Sequence, residues 1–509
     1  MNKIVKKLFA FTSLLVLSAG SFACGSIGGG GDNVGELEPG FWADLAATTG
    51  GSSNNGGLGN YDGDFTITGD ATKAVAYDGS AVTINFYHTM GEKLREVLNP
   101  WIAEFNKLYP NITIVHESKG GYPELRELIT TELQGGNAPH IAYCYPDHVA
   151  MYKKAGAVAT LDDYIVSESM GFTQAELNEF VRGYLEEGRA YGDGKMYTLP
   201  YSKSTEVLYY NKTFFDKHGL KVPTTWDEME TVMLQIKELD PNCVPLGYDS
   251  EANWFITMTE QLGTPYTTAK KGEYFQFDVE ANRSFVERLR KWYQLRLVTT
   301  EELYGSYTSD LFTQTDANEI KSYMCIGSSA GASYQCPDVY VNENNEQVYP
   351  FEVGVALPPQ INAEAPKVIS QGPSLCMFKK QNKQEMAATW LFMKFLTTSM
   401  GLQANFSIMS GYAPVIKNLD TKFPQYANKL AAADGNANLP ALCIKQCLAQ
   451  ENAMFVSPAF VGSSGARDQV GILLQTCMSK QLEGQTPAEL IQAQFSQTVS
   501  KLRYEYELN

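Results

Sequence analysis

A chain of 509 residues with 57 acidic and 40 basic side chains carries a formal net charge of −17, which repels nucleic acid and anionic membrane surfaces. That length exceeds what one compact core organises, so two packed lobes with appendages are expected. Aromatic residues make up 12 % of the chain, including 29 tyrosines and 25 phenylalanines, enough for a core and for flat stacking surfaces besides.

At the N-terminus, Lys3, Lys6 and Lys7 precede an apolar run from Leu8 to Leu17, and the small residues Ala19, Gly20, Ser21 and Ala23 lead to Cys24. This pattern predicts an export signal over residues 1–23, because the apolar run is too short to cross about 30 Å of hydrocarbon. Cys24 is the expected site of lipid attachment, holding the exported chain at a membrane surface. A lipoprotein box usually has leucine three positions before the cysteine. Ser21 stands there, so plain secretion is the alternative. Residues 24–79 are rich in Gly, Asn, Ser and Asp and read as a flexible linker, with Phe65 and Ile67 able to pair as an edge strand. Eight further cysteines could pair in an exported protein, but spacing does not fix partners. Cys443 and Cys447, one helical turn apart, read as buried small side chains, and neither a metal nor a cofactor is expected.

The folded body begins with a strand from Val82 to His88. Leu94, Leu98, Trp101, Ile102 and Phe105 follow at helical spacing, with Pro100 predicting a kink or break. A strand from Ile112 to Val115, a helix carrying Leu125, Leu128, Ile129 and Leu133, a strand from Ile141 to Cys144 and a helix ending at Gly156 complete a parallel α/β pattern covered on both faces. Val207 to Tyr210 is a β-branched and aromatic strand ended by Asn211 and Lys212. Phe214, Phe215 and Leu220 form a brief turn closed by Gly219, and Thr225 with Glu228 makes a capping box for a helix burying Met229, Val232, Met233 and Ile236. Further on, Trp254 falls at a helix start, residues 280–298 read as a helix, and Tyr323 to Ile326 is a strand entering GSSAGAS. The stretches FEVGVALPP and SQGPSLCMFKK read as strands, and Trp390, Phe392 and Phe395 lie on a helix. No internal repeat is present, and the fold class is α/β.

The run LPYSKSTEVLYYNKTFFDKHGL followed by VPTTWDEM resembles the signature of extracellular solute-binding proteins of ABC importers, in the sugar-binding family and especially its glycerol-phosphate branch. EFNKLYPNITIV, GGYPEL, GGNAPHIAY and YKKAGAVATLDDYI resemble the same family, while His140 stands where it usually has aspartate. The likeness covers residues 80–495. It implies a type II fold of two discontinuous lobes, 80–203 with 357–408 and 204–356 with 409–509, crossing near Ser204, Leu357 and Ile408. It places the solute between them at Tyr122, Asp147, Ser204, Trp254, Ser329, Gly372, Tyr412 and Arg467. Each has an ordinary structural explanation too: Tyr122 and Tyr412 as turn residues, Trp254 as a core plug, Asp147 as a helix cap. The resemblance further implies a monomer that closes on a sugar or a glycerol phosphodiester and docks on ABC permease subunits without turnover. A surface adhesin or coat protein on the same scaffold is the alternative.

Gly327, Ser329 and Gly331 also satisfy G-x-S-x-G, the nucleophile elbow of hydrolases. In that fold the histidine follows the serine, whereas His88, His116, His140, His148 and His218 all precede Ser329. No zinc-protease, phosphate-loop or dinucleotide motif is present. Arg467 follows the small residues Gly462, Ser463, Ser464 and Gly465, so a loop of N–H groups and a guanidinium fork could hold a phosphate or carboxylate. The competing expectation is a neutral oligosaccharide held by Trp254 and tyrosines.

Overall fold

The computed structural model describes residues 37–49, 61, 63–432 and 435–507; the expected export signal and Cys24 lie outside them. Strands β1 (Val82–His88), β2 (Ile112–Ser118), β3 (Ile141–Cys144) and β4 (Thr198–Pro200) precede β5 (Ser204–Asn211), β6 (Leu246–Tyr248), β7 (Val298–Thr300) and β8 (Met324–Ser328). A small hairpin, β9 (Tyr340–Val341) and β10 (Gln347–Val348), is followed by β11 (Val353–Ala356), β12 (Val368–Gln371), β13 (Ser374–Met377) and β14 (Met454–Phe455).

Two main sheets result. The first runs β2-β1-β3-β13-β4, the second β14-β12-β5-β8-β6-β7 with β11 also on β5. β1, β2 and β3 are parallel as expected, whereas β13 pairs antiparallel with both β3 and β4, making this sheet mixed. Each sheet is the centre of its own apolar core, which gives the two lobes. Local signals are realised closely around β5. The Asn211 side chain accepts the Phe214 N–H, Gly219 closes the helix Lys212–His218 in the left-handed conformation, and Thr225 and Glu228 cap Trp226–Leu239 reciprocally. The helix Glu92–Leu108 runs through Pro100 without a break. Leu98 and Phe105, both fully buried, anchor it on either side, and this packing outweighs the roughly 3 kcal/mol a mid-helix proline costs.

The chain passes between the sheets where its strands change partners. Tyr201, Ser202 and Lys203 link β4 to β5. The return expected near Leu357 comes instead at Gly372 and Pro373, because β11 stays on β5 and the SQGPSLCM stretch is split into β12 for one sheet and β13 for the other. The third passage falls beyond Ile408: Ala413 still bridges Lys203 and Ile416 still bridges Phe180, and the second sheet is regained at β14. Gly372 has φ +94°, and a Cβ there would lie 2.4 Å from the Ser202 carbonyl oxygen. Only glycine lets these two passages touch.

The expectation of a flexible linker fails for the described part of residues 24–79. A helix, Phe41–Thr49, docks on the second core with Trp42 and Leu45 buried. The Trp42 ring lies 5.4 Å from Trp292 and 6.1 Å from Trp226, and Asp227 accepts the backbone N–H groups of Trp42 and Ala43. Phe65 is buried in the first core beneath the guanidinium groups of Arg182 and Arg189, 5.0 and 4.8 Å from its ring. It does not form the edge strand considered for it. The eight described cysteines are free thiols, Cys443 and Cys447 among them fully buried. Among the described residues no helix is long and apolar enough to cross a membrane.

Trp42→Ala is expected to lower stability by about 3 kcal/mol, the usual cost of emptying a buried aromatic site. Urea unfolding followed by tryptophan fluorescence measures it, and a loss below about 1 kcal/mol would show that the N-terminal helix is not integral to the second lobe.

Candidate functional site: a cleft between the lobes

A cleft of about 340 Å³ separates the walls contributed by the two lobes. On one side stand the first turns of the helices Tyr122–Gly135 and Pro146–Lys154, each with a proline at its start. The second of these follows directly on the carboxyl end of β3, where ligands of open α/β sheets gather. Tyr122 and Tyr145 meet with ring centroids 4.5 Å apart, and Tyr145 packs edge-on against His148 at 5.7 Å. The opposite wall is made by Tyr266, Thr267, β12, residues 456–459 and the helix Ser463–Ser479, which supplies Arg467 and Asp468.

Polar contacts tie the walls together. Ser464 Oγ donates to Asp147 Oδ2 at 2.5 Å, and Arg126 faces Asp468 at 3.7 Å. Burial pushes the Asp147 carboxyl up, but His148, the Ser464 hydroxyl and Arg467 outweigh it and hold it below the usual carboxylate range. Burial lowers His148 in spite of Asp147 beside it, so its imidazole is neutral at pH 7. Asp468 is raised by burial against the pull of Arg126. Three buried polar atoms in the cleft lining, Thr267 Oγ1, Ser370 Oγ and Gln371 Oε1, lack a protein partner. Hydroxyl and amide groups of that kind are what a polar solute satisfies.

Of the residues singled out in the sequence, Tyr122, Asp147 and Arg467 line this cleft. Tyr412 is half-buried behind it, its hydroxyl neighbouring that of Tyr122. Ser204 and Gly372 lie at the passages between sheets, and Ser329, just past β8, packs beside them. Gly372 N–H donates to the Tyr145 hydroxyl at 3.4 Å, and Ser329 Oγ, fully buried, accepts the Thr205 N–H at 3.4 Å. Trp254 is not at the cleft. Its ring is fully buried, stacked on Tyr248 at 4.6 Å and 11° and beside Trp226 at 6.1 Å, so both faces are committed to the core.

The anion-holding loop expected before Arg467 is also placed differently. Ser463 already begins the helix, and Gly462 and Gly465 are small because Tyr506 packs on them: a Cβ would lie 2.9 and 2.5 Å from its ring or hydroxyl. The negative partner at this helix start is Asp147 from the facing wall. Arg126, Tyr145, His148, Tyr266, Ser370, Gln371 and Asp468 were not anticipated. Position at the end of β3 would have flagged Tyr145; no local signal marks Tyr266.

Behind Arg467 lies a buried carboxylate. Glu206 of β5 accepts the Tyr248 hydroxyl at 2.6 Å, and burial lifts it to about 7 against the pull of Tyr248, Asn253 and Arg467. Glu301, with Asp249, Glu251 and Glu302 around it, is raised to about 8 by burial first and these carboxylates second.

Residues 100–438 match the family described as bacterial extracellular solute-binding protein, and the chain belongs to that family. Among curated proteins it is similar to the sn-glycerol-3-phosphate-binding periplasmic protein UgpB of Salmonella typhimurium, 24 % identical over 357 residues that span 67 % of this chain and 77 % of the relative. UgpB of Escherichia coli K12 is 25 % identical over 350 residues, 66 % and 75 % of the two chains. Solved structures share the fold. UgpB of Mycobacterium tuberculosis in complex with glycerophosphocholine gives a TM-score of 0.63 at 16 % identity over 84 % of this chain and 98 % of that one. Maltose-bound MalE3 of T. maritima gives 0.63 at 18 % identity over 83 % and 100 %.

Because Glu206 and Glu301 titrate above the ordinary carboxylate range when folded, the stability that their protonated forms contribute is full below about pH 4.5 and lost as pH rises through about 7 and 8. The melting temperature is therefore expected to fall between about pH 5 and pH 8, and Glu206→Gln to remove up to about 3 kcal/mol of that fall. A melting profile unchanged by the substitution would show that Glu206 ionises without cost.

Proposed function

We propose that this protein captures a carbohydrate or glycerol-phosphate-type solute between its lobes and delivers it unchanged to the membrane permease of an ABC importer. The observation that carries this reading is the cleft itself: aromatic faces of Tyr122, Tyr145 and Tyr266, unpartnered hydroxyl and amide oxygens, and Arg126 and Arg467 converge from both lobes. Stacking faces with a few fixed polar groups suit a hydroxyl-rich ligand, and walls on separate lobes suit capture by hinge closure. The glycerol-phosphate compounds and maltose named for the relatives and structural neighbours fall in the same chemical range. A transport role without catalysis fits Ser329, whose hydroxyl is enclosed and bonded to the backbone of the hinge strand rather than open to a substrate. Export with a lipid on Cys24 would hold the protein beside its permease.

Calorimetry with maltotriose and with a glycerol phosphodiester tests the proposal. At least one is expected to bind with a Kd on the order of micromolar, about 8 kcal/mol, and Tyr145→Ala to weaken it at least about tenfold by removing a stacking face. Small-angle scattering should show contraction with the solute that binds. Neither binding nor contraction with either class would sink the reading.

A further inference from the structure

The geometry points to Glu187 as a specificity-determining residue of the cleft: its carboxylate, held from the protein side by Lys203, accepts a solute hydroxyl and so selects a ligand that presents a donor at that point. The inference rests on the reading of the cleft as the solute site.

The acidic side chains bordering the cleft are Asp147, Glu187 and Asp468. Two of them are taken up by contacts from wall to wall: Asp147 Oδ2 accepts the Ser464 hydroxyl at 2.5 Å, and Asp468 faces Arg126 at 3.7 Å. Glu187 is held differently. Its Oε2 accepts from the Lys203 ammonium at 2.6 Å. Lys203 is 1 % exposed and lies behind the cleft surface, with Ser374 Oγ at 3.3 Å, the Gly372 carbonyl at 3.5 Å and the centroid of the Tyr184 ring at 5.8 Å. The preceding residue shows the contrast, since Glu186 commits one carboxylate oxygen to Arg182 at 2.6 Å and the other to Arg189 at 2.5 Å. A carboxylate offers about four acceptor positions. One cation on the protein side leaves others of Glu187 toward the space a solute would enter.

The neighbouring floor of the cleft also calls for a donor. Gln371 Oε1 and Ser370 Oγ, both in the lining, are buried without a protein partner. Gln371 adjoins Gly372, whose carbonyl meets the same Lys203 and whose N–H is already taken by the Tyr145 hydroxyl at 3.4 Å. A solute hydroxyl satisfies such acceptors. A phosphate or carboxylate at this point would set like charge against Glu187, so the acid of an anionic solute belongs with Arg126 and Arg467 and its hydroxyls with Glu187. Lys203 serves the site by balancing the carboxylate, which is then not left unpaired when the lobes close over it.

Calorimetry on the full chain tests this by pairing each solute with an analogue that lacks hydroxyls: methyl glyceryl phosphate with methyl propyl phosphate, and maltotriose with its monodeoxy derivatives. For the solute that binds wild type, loss of the hydroxyl that meets Glu187 is expected to weaken binding about tenfold or more, as for a charge-assisted hydrogen bond. In Glu187→Gln the same loss should cost about threefold or less, because the two changes remove one interaction. A residue with only a structural role would weaken solute and analogue alike and leave their ratio unchanged. Since Glu187→Gln strips the buried Lys203 of its partner, the comparison is repeated in the double variant Glu187→Gln, Lys203→Met, which removes both charges, with circular dichroism to verify folding. Analogues that bind wild type as tightly as their parents, or a ratio that survives the substitution in either folded background, overturn the inference and leave the solute reading intact. Absence of binding by both solutes to wild type overturns the solute reading, and the inference with it.

Discussion

A buried ion pair sits where the two lobes are joined. Lys203, 1 % exposed, places its ammonium 2.6 Å from the carboxylate of Glu187, itself 5 % exposed. The same ammonium reaches Ser374 Oγ at 3.3 Å and the Gly372 carbonyl at 3.5 Å. Lys203 belongs to the passage from β4 to β5, while Gly372 and Ser374 belong to the passage from β12 to β13. One cation thus binds two crossings to each other and to the helix Arg182–Glu187. An unpaired charge in such surroundings costs about 3–5 kcal/mol, so each partner confines the other. Gly372 makes this geometry possible, because any side chain there would meet the Ser202 carbonyl oxygen.

Glu187 also lines the cleft, so the joint and the solute site share a residue. The Lys203 pairing ties the joint together at its centre, and the walls of the cleft hang from it on separate sheets with separate cores. That division explains where the sequence-selected residues went. Ser204, Ser329 and Gly372 stand in runs of small residues where chain segments pack at close quarters, and Gly411, whose Cβ would lie 2.4 Å from the Ser329 carbonyl oxygen, belongs to the same crowding. Tyr122, Asp147 and Arg467 stand one layer out, at helix starts that open on the gap.

Local structure was legible wherever a short-range rule decided it. The capping box at Thr225, the cap at Gly219 and the strand Val82–His88 depend on residues within one or two turns, and each is found as read. Trp254 was not legible. Its place near a helix start is local, but which neighbour it meets depends on Tyr248, Trp226 and Trp292, brought together by the second sheet. The docked N-terminal helix was hidden for another reason. Averaged composition calls the segment a linker, yet Trp42 and Leu45 need only a receptive surface, and Trp226, Trp292 and Asp227 supply it from more than 180 positions away. The passages at Gly372 and beyond Ile416 depend on which sheet each strand joins, and hydrophobic pattern carries no such label.

The contacts between the walls bear on how the proposed cycle runs. Arg126 and Asp468 are 19 % and 54 % exposed at the side chain, so their ion pair is worth about 0–1 kcal/mol. The Ser464 hydroxyl bond to Asp147 is charge-assisted and contributes about 1.5–3 kcal/mol. Together these polar ties are small beside the roughly 8 kcal/mol of a micromolar solute. A solute touching both walls therefore has several kcal/mol with which to favour the closed arrangement, whereas the protein's own wall-to-wall bonds favour it only modestly. Asp147 is the residue through which the two effects meet. It occupies the helix start on the facing wall when the lobes approach, and it borders the space a solute would enter, so a ligand hydroxyl that displaces Ser464 exchanges one hydrogen bond for another instead of leaving a buried carboxylate unpaired.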